Sequence, residues 1–338
     1  MNDPRIVIDI SKWQDHVKPD ELDGVEAVIL KSGSGMRRDP KFEVHGAVLA
    51  KAGIPLMAYH WDDITMDPAE QAEWALEDIE TTGLPIKFLW ADQEQSWINW
   101  EEFYAAAQSK IAWSAVRRAS SKSISLHNNV YMKTLAARMS KDMCGVYTNR
   151  GFTSSWAKET KNWIGDYYLW VAHYWNHPKK KTEMTWAELR EKWLPNYKPS
   201  LPDGADVKKL IGHQFTGDRC ILPGVYRDAK DLSPLDVNVF DGGFIDRIKT
   251  SNTTVKAKKT KENQPDVWSD TQLDTKKGSN FLVNVDALNI RKGPGTEHEV
   301  KGILTKNEQV TVEERQGKWA RLTGGGWVYA AYLTPVSN

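Results

Sequence analysis

From Arg5 to Tyr174, short apolar runs that read as strands alternate with segments of helical periodicity, and this alternation restricts the fold more than any other feature. Arg5 to Ile10 is strand-like, and Val25 to Lys31 is a second apolar run. A helix is expected next: Asp39 can cap it, Pro40 suits its first position, Val44, Ala47 and Val48 fall at helical spacing, and Gly53 can end it. Ile54 to His60 reads as strand, and Asp67-Pro68-Ala69-Glu70 opens a helix whose inner face carries Ala72, Ala75 and Ile79. Ile86 to Asp92, Cys144 to Thr148 and Tyr168 to Tyr174 are further strands, with helical material in two pieces between Trp100 and Met139. Repeated strand-helix units stack as a parallel sheet, and this many of them favour closure into a barrel over an open doubly wound sheet. Leu194 through Phe240 is loop-rich, so the expected fold is α/β, an irregular (β/α) TIM-like barrel.

A chain of 338 residues exceeds one compact domain. From Lys249 to about Ser279 the composition turns to Thr, Lys, Asn, Gln and Asp without apolar periodicity, which reads as a tether. Beyond it, Phe281 to Leu333 carries short β-rich runs separated by Gly, Pro and Asn turns, the pattern of a small all-β barrel. The expected division is residues 1–247, a polar linker 248–279 and a β unit 280–338.

Forty-five basic residues balance forty-five acidic ones, which removes the broad positive field of a nucleic-acid binder. Cys144 and Cys220 cannot make a disulfide framework and read as buried thiols, and no Cys/His cluster has zinc spacing, so no metal or cofactor is expected. No apolar run is long enough to cross a membrane. The N-terminus passes from Met-Asn-Asp-Pro into the first strand without a charged and apolar leader, so the expectation is synthesis in the cytoplasm without a signal peptide. Sixteen tryptophans, many in polar settings such as Lys12-Trp13-Gln14 and His60-Trp61, suit the faces of sugar rings as well as an ordinary core.

Along Ile86-Lys-Phe-Leu-Trp-Ala-Asp92-Gln-Glu94, residues 86, 88, 90, 92 and 94 share one face if the strand continues. Asp92 and Glu94 then project together with Cα atoms roughly 6.6 Å apart, close enough to push their pKa values apart. One acid and one base is what glycosidic cleavage requires. A metal site or a solvated loop start explains a lone D-x-E equally well. Asp9 adds weight to the first reading, because it too ends an apolar strand, Ile6-Val-Ile-Asp9, and independent strands deliver acids to one rim.

These segments resemble glycoside hydrolase family 25, the Chalaropsis-type lysozymes. Asp9, Ser11, Trp13 and Gln14 match the family's first strand end, Asp39, Pro40 and Phe42 its helix start, Tyr59-His60 its Y-H strand end, and Asp92 with Glu94 its D-x-E. Tyr147-Thr148-Asn149, Trp170-Val-Ala172-His173-Tyr174, Gln214-Phe-Thr216-Gly217 and Asp236-Val-Asn238-Val-Phe240 follow in the family's order. The resemblance spans residue 5 to about 245. It implies a β-1,4-N-acetylmuramidase acting on bacterial peptidoglycan, with Glu94 as general acid, Asp92 orienting and stabilising the transition state, and Asp9 and Asp236 holding the sugar and tuning Glu94. Tyr59, Trp61, Trp90, Tyr147, Trp170, His173 and Gln214 are the expected sugar contacts. Whether a covalent intermediate forms or the substrate's acetamide assists stays open.

The second strand departs from the family, reading Lys31-Ser-Gly-Ser-Gly35 with no acid, and His173 stands where glutamine is common. Ala287-Leu-Asn-Ile-Arg-Lys-Gly-Pro-Gly295 and the closing Gly326-Trp-Val and Tyr332-Leu333 resemble a bacterial SH3-like (SH3b) domain, which implies a wall tether. With no leader, this pairing suggests a phage endolysin, a secreted autolysin being the alternative. The sequence disfavours two other classes. A zinc amidase or cysteine peptidase lacks its motif here, since there is no H-E-x-x-H and neither cysteine sits at a nucleophile motif, while a non-catalytic glycan binder would not need Asp92 and Glu94.

Overall fold

The computed structural model describes residues 3–175, 177–228, 230–256, 279–284, 287–295, 298–316 and 319–336. Its larger sheet contains eight strands that close on themselves: β1 (Arg5–Ile10), β2 (Val25–Ser34), β3 (Leu56–Trp61), β4 (Ile86–Asp92), β5 (Cys144–Thr148), β6 (Tyr168–Ala172), β7 (Leu210–Tyr226) and β8 (Leu232–Phe240). Neighbours run parallel from β1 to β7. The last strand, β8, is antiparallel to both β7 and β1, which departs from the all-parallel expectation. The reason is local: β7 and β8 are joined by the short loop 227–231, and only a crossover segment can return a strand in parallel.

Alternation along the strands sorts side chains to two cores. On β1, Ile6, Ile8 and Ile10 face the surrounding helices, and Val7 faces inward with Ile29, Met57, Phe88, Trp90, Trp170 and Phe240. Helix α7 (Gly242–Thr250) supplies Phe244, Ile245 and Ile248 to this inner core, so the barrel interior is filled at one end and open at the other. The shared face expected for 86, 88, 90 and 92 begins only at Phe88. A register shift between the pairs Leu56↔Ile86 and Ala58↔Leu89 leaves Ile86 in the outer core.

The helices are α1 (Phe42–Lys51), α2 (Pro68–Thr82), α3 (Trp100–Ala107), α4 (Ser121–Arg138), α5 (Arg150–Trp156) and α6 (Trp186–Lys192) before α7. In α2, Asp67 accepts the N–H groups of Ala69 and Glu70 at 3.0 Å each, and Gly83 at φ +66° ends the helix. Helix α1 starts later than expected. Asp39 does not cap it; its carboxylate accepts from the Lys41 N–H at 2.9 Å and the Lys12 N–H at 3.1 Å, tying the turn before α1 to the end of β1. Cys144 and Cys220 are free and buried.

Helix α7 runs past the expected boundary at 247 because Ile248 is buried against the barrel floor, and Val255, also buried, donates its N–H to the Ile86 carbonyl at 2.6 Å. Residues 257–278, most of the expected linker, lie outside the described residues. The second sheet is all-β: β9 (Ser279–Val283), β10 (Ala287–Arg291), β11 (Val300–Thr305), β12 (Gln309–Gln316), β13 (Trp319–Leu322), β14 (Trp327–Tyr329) and β15 (Leu333–Pro335). Its own core gathers Phe281, Val283, Leu288, Val312, Leu322 and Val328. No helix among the described residues is long and apolar enough to cross a membrane.

Candidate active site

The open end of the barrel holds a cavity of about 450 Å³ lined by Asp9, Asp92, Glu94 and Asp236, together with Lys31, Tyr59, Trp61, Tyr147, Trp170 and Gln214. Asp9 and Asp236 arrive from neighbouring strands as register partners. Asp92 ends β4, and Glu94 follows two residues later. Inward alternation on three strands that meet at one rim brings the acids together; the strand-end positions of Asp9 and Asp92 pointed to this rim, whereas Asp236, in the middle of β8, was expected from the family resemblance alone.

Each carboxyl has a distinct environment. Asp9 is 8% exposed, and its Oδ2 accepts from Asn238 Nδ2 at 2.9 Å and Gln214 Nε2 at 3.1 Å. Burial raises its pKa to about 6, against the pull of those two donors. Glu94 is half-buried, and burial lifts it to about 7, opposed by the Lys31 cation and reinforced by Asp9. Asp92 is 4% exposed and is raised well above the carboxylate range, first by burial and then by repulsion from Glu94, with Lys31 opposing. Its Oδ1 is buried and has no hydrogen-bond partner among the described residues. Asp236 is raised by burial and by Asp9, while the Asp218 N–H donates to its Oδ1 at 2.6 Å. Protons are therefore held in this cluster near neutral pH, which is the condition for acid catalysis by a carboxyl group.

A second layer fixes the first. Gln214 Oε1 accepts from the Tyr147 hydroxyl at 2.7 Å and from the Tyr174 hydroxyl, which turns its amide nitrogen toward Asp9. Asn238 Oδ1 accepts from Trp170 Nε1 at 2.8 Å, which turns Nδ2 toward Asp9 in the same way. Lys31 lies over the rings of Tyr59 and Trp61, at 5.5 and 5.1 Å from their centroids, and burial lowers its pKa.

Of the expected sugar contacts, Tyr59, Trp61, Tyr147, Trp170 and Gln214 line this cavity. His173 lines an adjoining cleft of about 770 Å³, which also reaches Glu94 and includes Asn149, Arg150 and Tyr174. Trp90 is corrected: it is fully buried among Phe88, Trp170, Phe240 and Phe244 and does not reach the cavity. Lys31, Tyr174 and Asn238 were missed as site residues. Period two signalled Asn238, two residues after Asp236 and on the same face, and Lys31 closes an apolar run just as Asp9 does.

A closed β/α barrel with a rim cavity of paired, proton-holding carboxyls and aromatic walls defines a glycoside hydrolase. The family model described as glycosyl hydrolases family 25 matches residues 8–221, and the chain belongs to that family; it is a peptidoglycan muramidase. Residues 286–334 match the bacterial SH3 domain. The fold is similar to the catalytic domain of endolysin ply40 from bacteriophage P40 of Listeria monocytogenes, with a TM-score of 0.50 and 19% identity over 73% of this chain and 98% of that one. It is also similar to the bacterial lysozyme from Streptomyces coelicolor, with a TM-score of 0.50 and 15% identity over 72% and 96% of the two chains. No curated protein matches the sequence.

Proposed function

We propose that Glu94 is the general acid of this muramidase, giving its proton to the leaving oxygen of the β-1,4 bond between N-acetylmuramic acid and N-acetylglucosamine. The observation that carries the assignment is the position of Glu94 at the junction of the two clefts, with a carboxyl whose pKa is lifted to about 7. A donor between two sugar-sized clefts stands where the scissile oxygen of a bound strand must lie. Asp92 orients the substrate's acetamide nitrogen and stabilises the transition state. Asp9 and Asp236 hold the sugar and keep Glu94 protonated, a role supported by the repulsion that links each of them to the cluster.

The test is digestion of purified peptidoglycan followed by borohydride reduction and mass spectrometry. Muramitol ends are expected. Glucosaminitol ends or newly freed peptide amines would sink the assignment.

The same reading divides the chain into a hydrolase over residues 1–256, a tether, and a wall-binding SH3 unit that begins near residue 279, and makes the whole a phage endolysin. Support comes from the joined family and SH3 matches and from the likeness to the ply40 catalytic domain. In this reading the SH3 unit holds the hydrolase at the wall and raises its local substrate concentration.

A further inference from the structure

Between Glu94 and α4 the chain inserts α3 and a short 3₁₀ turn, Trp113–Ala115, and this segment is unusually rich in large aromatics. Trp61, which lines the catalytic cavity, lies 5.9 Å from Trp97 and 6.5 Å from Trp100 between ring centroids. Trp97 stacks on Phe103 at 3.9 Å, Tyr104 stacks on Trp100 at 5.6 Å, and Trp113 meets Phe103 at 5.6 Å. The aromatic surface thus runs without a break from the cavity wall outward.

A mini-core serving only the insertion would hide its largest rings. Here Tyr104 is 55% exposed and Trp113 50% exposed, at the end away from Trp61. The rings nearest the cavity are held from behind by polar groups. Trp61 Nε1 donates to Gln95 Oε1 at 2.8 Å, Gln95 Nε2 donates to Asp63 Oδ1 at 3.1 Å, and Trp100 Nε1 donates to Asp63 Oδ2 at 2.9 Å. Gln95 directly follows Glu94, so one buried network sets the aromatic surface and the proton donor in a fixed relation. Rigid rings lose little freedom on binding, which favours a ligand with flat apolar faces.

We propose that Trp61, Trp97, Trp100, Phe103, Tyr104 and Trp113 form a distal glycan subsite that holds pyranose rings of the strand being cleaved and makes the enzyme prefer long strands. The occupant follows from continuity: the surface begins in the cavity wall, and a polysaccharide leaving the cavity past Trp61 meets Trp97 and Trp100 next. This inference rests on the muramidase reading of the cavity.

The probe is peptide-free peptidoglycan glycan of defined length, given to the full chain. For the parent protein, kcat/KM is expected to rise from tetrasaccharide to long strands. In Tyr104→Ala/Trp113→Ala the long-strand value falls about tenfold while the tetrasaccharide value is unchanged, and Tyr104→Phe/Trp113→Phe, which keeps a ring at each position, retains most of the long-strand value. An unchanged length dependence, or an equal loss on both substrates, overturns the subsite. Binding of long strands to Glu94→Gln with and without the two alanines reads the subsite without turnover. A parent enzyme that releases no muramitol ends therefore defeats the muramidase reading, whereas equal strand binding by the two Glu94→Gln proteins defeats the subsite.

Discussion

Asp9 and Asp236 are register partners across the antiparallel ladder between β1 and β8, so the strand that breaks the parallel order of the barrel also sets a second carboxyl against the first. Burial lifts Asp9 from 3.8 to about 6, which at neutral pH corresponds to a destabilisation on the order of 3 kcal/mol. The sign follows from proton uptake. The native carboxyl holds its proton more tightly than the unfolded one, so its stabilising contribution is complete below about 3.8 and is lost as pH rises through about 6. Asp9→Asn keeps an acceptor for Asn238 and Gln214 and removes the charge. It should melt several degrees higher than the parent at pH 7, the two should converge in acid, and activity should be lost. A lower melting temperature at pH 7 contradicts the assigned cost.

Glu94→Gln keeps the shape of the side chain but has no proton to give. Turnover should fall by about a hundredfold or more, the range for loss of a general acid, while sedimentation with intact walls is unchanged. A variant within a few-fold of the parent refutes Glu94 as the donor.

The same groups set the pH profile of kcat/KM. Asp9 must be ionised to keep Glu94 protonated by repulsion and titrates at about 6, and Glu94 must be protonated and titrates at about 7. A bell with its maximum between these values is expected, rising as Asp9 ionises and falling as Glu94 loses its proton. Activity that stays flat well into the alkaline range would be inconsistent with this pair.

Lys31 opposes the upward shifts of both Asp92 and Glu94. Lys31→Met fills the space over Tyr59 and Trp61 without the charge, so both carboxyls should hold their protons to higher pH. The alkaline limb of kcat/KM should move upward, and it is read against the parent in one buffer series. A limb that stays in place or moves down shows that Lys31 does not act on Glu94 through its charge.

Much of this site was legible because strand alternation is a local signal. Asp9 and Asp92 could be placed at a rim from the apolar runs before them, and Asp67 marked the start of α2 by cap chemistry alone. What escaped is non-local. Nothing within Leu232–Phe240 announces that the strand runs antiparallel, and the shift that turns Ile86 outward depends on how β3 pairs with β4. Lys31 escaped because a lysine at a strand end looks like a solvated terminus until the acids across the barrel are known.

Trp90 illustrates how one periodicity can serve two layers. It shares the inward face with Asp92, but it sits one step deeper, where the barrel is filled rather than open. Gly145 on the neighbouring strand makes room for it, since a Cβ there would lie 2.5 Å from the Trp90 ring. Truncating so large a buried ring costs about 3–5 kcal/mol, so Trp90→Ala should lower the melting temperature by roughly 10 °C. Trp90→Phe retains part of the packing and should leave KM for peptidoglycan unchanged. Trp61 lines the cavity, and Trp61→Phe should raise KM with little effect on melting. If Trp90→Phe instead raised KM while its melting temperature held, Trp90 would have to reach the sugar, and the barrel would have to be open a layer deeper than its packing allows.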